Sequence, residues 1–501
     1  MKTHLVFAVM TIALLAFVIS QSDRKTLGFD MVVAQAERLA SEPYEPPQPI
    51  QSKVLRELGY DGLRDIRFKD DRRLWRDKAL PFQAAFLPAG GAHSSIPVTI
   101  FQVDGDAAGP VRFDPDAFEI GGQTGLDPVE LQNSGFTGFR VFYPINHAER
   151  LDEFLVFPAS NYFRFLGRDQ IWGLSARAIA VDTLGKEQFP AFTAFWLVQP
   201  APGATELTIY ALLDGEAVTG AYEFRVVPGP ETKVRVKAVL FPRKTVKDIG
   251  IAPLTSMFWF GENTSNTFGD FRPEVHDSDG LQIRLSNDEW VWRPLAWAQQ
   301  RQVNVFANTN PKGFGLFQRD RDFSHYQDLE ANYHQRPSYW VEPDGDWGPG
   351  AVVLMQNPTD SEYLDNVVAY WRPEEGIIKG RSVEFAYTIT AFTANAGLPP
   401  LARCVSTRID YQEKSNYRLI VVDFQMAGER PAPDADVRPD VWIDGDAVLS
   451  DVQCMPIPDT DMWRVSFGVT ADKGNDPVEM RCALELDGRR ISETWSYTWV
   501  K

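Results

Sequence analysis

Cysteine is nearly missing: the 501-residue chain holds three, Cys404, Cys454 and Cys482, all in its last fifth. Three thiols cannot build a disulfide framework. An oxidising compartment would allow one bridge, with Cys454–Cys482 between strands the favoured pair and one thiol left over. Histidine is scarce too, with six residues, none at HExxH or a similar ligand spacing. No cysteine pair is spaced for zinc, so neither a metal nor another cofactor is expected. The chain has no GxSxG elbow, no GxxxxGK[ST] phosphate loop and no GxGxxG between a strand and a helix. Basic charge is short as well: the net charge is −18, and the basic clusters are pairs such as Arg72-Arg73 and Arg489-Arg490. An acidic body repels phosphate backbones, which argues against nucleic acid as a partner. Past the N-terminus no apolar run reaches the roughly 18 residues a bilayer span needs.

What is present is a folded chain too long for one ordinary core, so two or three domains are expected. It carries 14 Trp, 15 Tyr and 33 Phe, which fill β-sandwich cores well and also stack on the C–H faces of sugars. Lys2 followed by the apolar run Leu5–Ile19 and then Ser20 and Gln21 describes a signal peptide over residues 1–20, with Val18-Ile19-Ser20 as its cleavage site. An uncleaved inner-membrane anchor is the alternative. The mature protein is then exported to the periplasm.

Asp30 is read as the cap of a short helix, Met31 to Leu39, stopped by Pro43, Pro46 and Pro47. From about Pro81 to Thr393 strand follows strand: Gly138–Tyr143, Leu207–Leu213 and Tyr222–Val227 are β-branched or aromatic runs bounded by turn residues. With no second long helical pattern, residues 21–390 read as one large β-sandwich. Residues 391–401, with Asn395, Gly397, Pro399 and Pro400, read as a linker. The remaining 402–501 read as a small immunoglobulin-like sandwich without the Cys…Trp…Cys signature. Its strands are Tyr417–Gln425, Asp440–Ile443, Trp463–Val469, Val478–Leu486 and Ile491–Val500, with Asp444-Gly445 and Asp487-Gly488 as hairpin turns.

By elimination the chemistry left is that of carboxylates supported by arginine and aromatics, concentrated between Leu254 and Pro373. That segment interleaves Arg272, Glu274, Asp277, Asp279, Glu289, Arg319, Tyr333, Arg336, Trp340, Glu362 and Asp365. A polysaccharide cleft needs such a set: acids for proton transfer, Arg for hydroxyls, aromatics for ring faces. Inverting glycoside hydrolysis needs two acids roughly 6.5–9.5 Å apart. The same residues also suit solvated loops on a lectin-like sandwich. Asp277 before Ser278-Asp279-Gly280, and Asp365 before Asn366, each suit a turn. His276 reads as a structural hydrogen-bonder, and Trp290 and Trp292 share one face of a strand.

Several runs resemble the osmoregulated periplasmic glucan biosynthesis proteins of the G and D types. They are Tyr143-Pro144-Ile145-Asn146, Trp172-Gly173-Leu174-Ser175-Ala176-Arg177, Thr208–Asp214, Leu254–Phe258, Arg272–Leu281, Trp292-Arg293-Pro294-Leu295, Gly313–Phe323 and Asp365–Trp371. The similarity covers about residues 28–390 well and the last hundred loosely. It implies an all-β fold, a large galactose-mutarotase-like β-sandwich followed by the small immunoglobulin-like one. It further implies a cleft acting on β-1,2-glucan, with inverting endo-β-1,2-glucanase activity in studied relatives. An inner-membrane glucan synthase would be a partner, and exposed edge strands leave a homodimer open. Matched by motif, Asp365 corresponds to the general acid and Asp277 to the general base. Tyr333 and Arg336 correspond to subsite residues and Glu362 to a supporting contact; Arg272, Arg319 and Trp340 are further substrate-binding candidates. Tyr363 stands where aligned relatives usually carry Thr, on the path by which a proton reaches the base. A cut path would slow attack by water and spare attack by a sugar hydroxyl, so transglycosylation, including cyclisation, is the alternative, followed by a non-catalytic glucan-binding or branching-assembly role.

Overall fold

Alternation builds most of the strands. In Thr232–Pro242 the residues Thr232, Val234, Val236, Ala238 and Leu240 are buried while Lys233 and Arg235 face solvent, the period-two pattern of a sheet with one wet face. Ile249–Ser256, buried at every position, is covered on both faces. In the computed structural model, residues 28–122, 124–264, 268–393, 399–410, 416–428, 430–445, 447–471 and 477–500 are described. The expected signal peptide and residues 394–398 of the expected linker lie outside them; Ala391 and Phe392 of that linker belong to the strand Val383–Phe392.

Two large sheets make the body. A ten-stranded sheet includes Phe136–His147, Arg150–Phe157, Tyr162–Phe165, Ile249–Ser256, Val367–Pro373 and Pro349–Gln356. A fifteen-stranded sheet includes Gly280–Arg284, Gly313–Phe317, Ser338–Pro343, Val383–Phe392, Thr232–Pro242, Val218–Val227 and Leu207–Asp214. Their inner faces meet through aromatics: Phe139 packs edge-on to Phe195, and Phe157 to Phe224, with ring centroids 5.1 Å apart in each pair. The protein is an all-β sandwich, and much of its phenylalanine is core.

The longest helix runs Phe29–Ser41 and lays Val32 and Ala36 against Trp196, Leu212 and Ala221 on the outer face of the larger sheet. Asp30 lies within its first turn and Gly28 takes the cap position, with no side-chain cap. Thr219 Oγ1 donates to Ala36 O, and Arg243 to Leu39 O. No helix of the described residues is long and apolar enough to cross a membrane.

The C-terminal strands are continuous with the body. Thr494–Trp499 pairs in parallel with Trp290–Pro294, in the register Val291↔Thr494 and Trp292↔Trp495. The fifteen-stranded sheet thereby passes on to Val478–Leu486 and the edge strand Arg438–Ile443. A separate four-stranded sheet holds Arg403–Ile409, Tyr417–Gln425, Met462–Thr470 and Val448–Pro456. Asp487 and Gly488, both at positive φ, make the expected tight hairpin turn. Asp444-Gly445 does not, because Arg438–Ile443 and Val448–Pro456 belong to different sheets and the chain crosses between them there. The expected strand Ile491–Val500 begins only at Thr494, as Thr494–Trp499, and the separate short strand Arg489–Arg490 precedes it. All three cysteines are free thiols. The favoured Cys454–Cys482 bridge is not formed, since Cys454 lies in the four-stranded sheet and Cys482 in the fifteen-stranded one.

Candidate functional site

The two carboxylates with candidate acid–base roles are anchored on one stretch of backbone. Ser256 is in register with Val367. Two residues beyond Ser256, Phe258 N–H donates to Asn366 Oδ1 (2.9 Å) while Asn366 Nδ2 donates to Phe258 O (3.0 Å). That fixes the residue before it, Asp365, at the mouth of the strand. From the other side Asp277 N–H donates to Met257 O (2.8 Å), and Ser278 and Ser256 share a hydroxyl hydrogen bond of 2.8 Å. Both acids are therefore fixed to residues 256–258. Buried side-chain hydrogen bonds, not turn propensity alone, set their positions.

Their surroundings differ. Asp277 is buried, and its Oδ1 accepts from Arg336 Nη1. The Arg336 guanidinium also lies 4.2 Å from the Tyr333 ring centroid and donates to Ala331 O. Gly173 leaves it room, since a Cβ there would come within 2.9 Å of Arg336 Cβ. Asp365 is more open and has Arg164 at 3.7 Å. Burial raises its carboxyl above the ordinary range against the pull of Arg164, and the Asp277 charge raises it further. Asp277 is thus buried in a close ion pair with Arg336, while Asp365 is the more open of the two and is pushed toward its protonated form, as a general acid requires.

Around them stands a ring of supports. Tyr333 O–H donates to Glu362, and burial followed by that bond raises the phenol pKa. Arg272 donates to Glu362 at 2.9 and 3.2 Å, to Asp328 at 2.8 Å and to Asp270 at 2.7 Å. It ties three loops together, with its donors committed to protein. Tyr363 is 88% exposed, with its N–H on Ser361 Oγ.

Two expected substrate contacts are elsewhere. Trp340 is 2% exposed and stacks on Trp290 and against Phe317 in the junction core, so its faces are covered by protein. Arg319 is buried 3.5 Å over Trp292 and paired with the fully buried Glu493, with further bonds to Gln282 and Cys404 O. It joins the C-terminal strands to the body. Sequence reasoning had no signal for these, because the partners sit on other segments of the chain, up to Glu493 at 174 residues from Arg319.

It also passed over Arg164, which sits in the strand Tyr162–Phe165 with no motif to mark it, and the way Glu262 and His325 join His276 and Glu274 in one buried cluster. His276 bonds Glu274 (2.9 Å) and Gln318 (3.0 Å). His325 bonds Glu274 (2.9 Å), and Glu262 accepts from Thr407 N–H (2.6 Å). Burial opposes the His276 charge, but Asp279 and Glu274 outweigh it and hold its pKa up at about 9. Burial, then Glu274, pushes Glu262 up to about 7. Among the described residues, ligand atoms close enough to share a cation occur in Glu262, Glu274, Asp320 and His325, and in Glu274, His276, Asp279 and Asp320. The hydrogen bonds just given engage Glu274, His276, His325 and Glu262, as a structural role for His276 requires.

Comparison with known proteins agrees over nearly the whole chain. The model for the periplasmic glucan biosynthesis protein MdoG matches residues 27–499. A glucans biosynthesis protein G of Ralstonia nicotianae is 43% identical over 500 residues, covering 97% of this chain and 99% of the relative. Proteins of the same name from Vibrio cholerae and Rhodopseudomonas palustris are each 40% identical, over 94% and 96% of this chain and 86% and 95% of their own lengths. An all-β sandwich matched end to end in this way is a member of the MdoG family of periplasmic glucan biosynthesis proteins.

Proposed function

We propose that the protein is a periplasmic enzyme acting on β-1,2-glucan backbones during osmoregulated glucan synthesis, as an inverting endo-β-1,2-glucanase. Asp365 donates a proton to the leaving glycosidic oxygen. Asp277, paired with Arg336, receives the proton of the attacking water. The observation that carries this is a pair of acids anchored to one backbone segment, one ion-paired with Arg336 and the other with its carboxyl raised above the ordinary range. Arg336 and Glu362 stand beside the base, where the substrate meets them through hydroxyl contacts, and the buried Tyr333 supports them from behind. No cofactor enters the reaction. The glucan is supplied by an inner-membrane synthase.

Tyr363 favours a second reading of the same site. A bulky, exposed Tyr in place of the relatives' Thr gives water a different route to the base, so a sugar hydroxyl becomes the acceptor and the enzyme a transglycosylase, cyclising or lengthening its chains. Incubation with linear β-1,2-glucan beside Asp365→Asn, with products followed by chromatography and mass, decides. Shorter linear products that vanish in the variant mean hydrolysis, and cyclic or longer ones mean transfer. No products from either protein, with binding intact, would overturn both in favour of a glucan-binding assembly role.

A further inference from the structure

A groove of about 850 Å³ opens where the C-terminal strands join the body. Its floor is one continuous sheet face. Asp440 and Trp442 come from the edge strand Arg438–Ile443, Arg481 stands opposite Trp442 in register, and Thr494 follows on the strand that crosses into the body. The wall is the turn at Glu289, at the end of the hairpin Gly280–Arg284/Trp290–Pro294 remote from Asp277. Five residues of strand separate the two ends, roughly 16 Å at 3.3 Å per residue, so the groove and the acid pair are distinct places on a shared element.

Trp442 is 51% exposed, on an edge strand and flanked by polar groups. Those groups are already oriented. Arg490 bonds Asp440 (2.7 Å) and Thr494 (2.9 Å), Thr494 bonds Glu289 (2.8 Å), and Arg481 lies 3.9 Å from Glu289. An indole face beside fixed, mutually neutralised donors and acceptors suits a ligand with an apolar ring face and a hydroxyl rim. The acids disfavour a polyanion, and the charged rim disfavours a lipid or an apolar peptide.

We propose that this groove is a second binding site for neutral glucan chains, with Trp442 as its stacking platform and Arg481 and Arg490 as hydroxyl partners. It rests on the proposed function for the identity of the glucan. The groove holds the polymer while the cleft at the other end of the hairpin acts on it.

The test uses the full-length mature chain carrying 5-fluorotryptophan, in an Asp365→Asn background, titrated with linear β-1,2-glucan. The Trp442 resonance is assigned by Trp442→Phe. It is expected to shift on titration. Trp442→Ala is expected to weaken binding of long glucan by about tenfold, the effect of losing one aromatic anchor, and Arg481→Gln by severalfold. Turnover of short oligosaccharides by Trp442→Ala with Asp365 intact stays unchanged. A Trp442 resonance that stays fixed while glucan saturates the protein overturns the groove alone and leaves the cleft reading standing. A shifting resonance in a protein that makes no products from glucan keeps the groove and removes the catalytic reading. Failure of glucan to bind at all removes both.

Discussion

Arg336 donates to the Asp277 carboxylate from a position above the Tyr333 ring, so the candidate base is an ion pair before any substrate arrives. Desolvation, and after it the nearby Asp277 charge, raise the Asp365 carboxyl above its ordinary range against the pull of Arg164. Arg336→Lys keeps a charge and loses the planar fork. It is expected to lower kcat on β-1,2-glucan by about tenfold or more while leaving Tm nearly unchanged, as steady-state kinetics beside thermal unfolding would show.

Asp365→Asn and Asp277→Asn should each reduce turnover by 10²–10⁴-fold, the usual worth of a positioned acid or base. Binding of glucan, read by calorimetry, is expected to remain within about threefold of the parent, since neither side chain is needed to form the groove walls. Equal turnover in parent and variants would remove the acid–base assignment.

The pH dependence has a defined sign. The raised pKa of Asp365 keeps the acid protonated above the ordinary carboxyl range, and loss of that proton sets the alkaline limb of kcat/KM. Arg164, 3.7 Å away, lowers this pKa. Arg164→Gln is therefore expected to move the alkaline limb to higher pH, and a limb that moves down or stays in place would contradict the assignment.

Tyr363→Thr replaces a bulky side chain at an exposed position where folding has little at stake. If the parent yields transfer products, this change is expected to raise the ratio of hydrolysis to transfer without altering total glucan consumption by more than severalfold. Product chromatography gives the ratio directly.

Glu493 and Arg319 form a buried pair across the junction of the C-terminal strands with the body. Glu493→Ala leaves a buried guanidinium without its partner, and such losses cost about 3–5 kcal/mol. Urea unfolding is expected to show that drop, and activity at low temperature should fall less than stability, because neither residue reaches the acids.

Residue patterns alone determined a good deal. Period-two runs located strands such as Leu207–Asp214 and Tyr417–Gln425, because burial of alternate side chains is a local property of the chain. Motif resemblance placed the chain in its family, and elimination left carboxylates as the chemistry. The tertiary structure decided the rest. It passed one sheet from the body into the C-terminal strands through Val291 and Thr494, and it turned Arg319 and Trp340 into junction residues. It also gave Asp277 to Arg336 and Asp365 to Arg164. Those outcomes depend on which distant strands share an edge and which charges are desolvated together. Such pairings are set by packing between segments remote in the chain, and a local pattern carries no record of them.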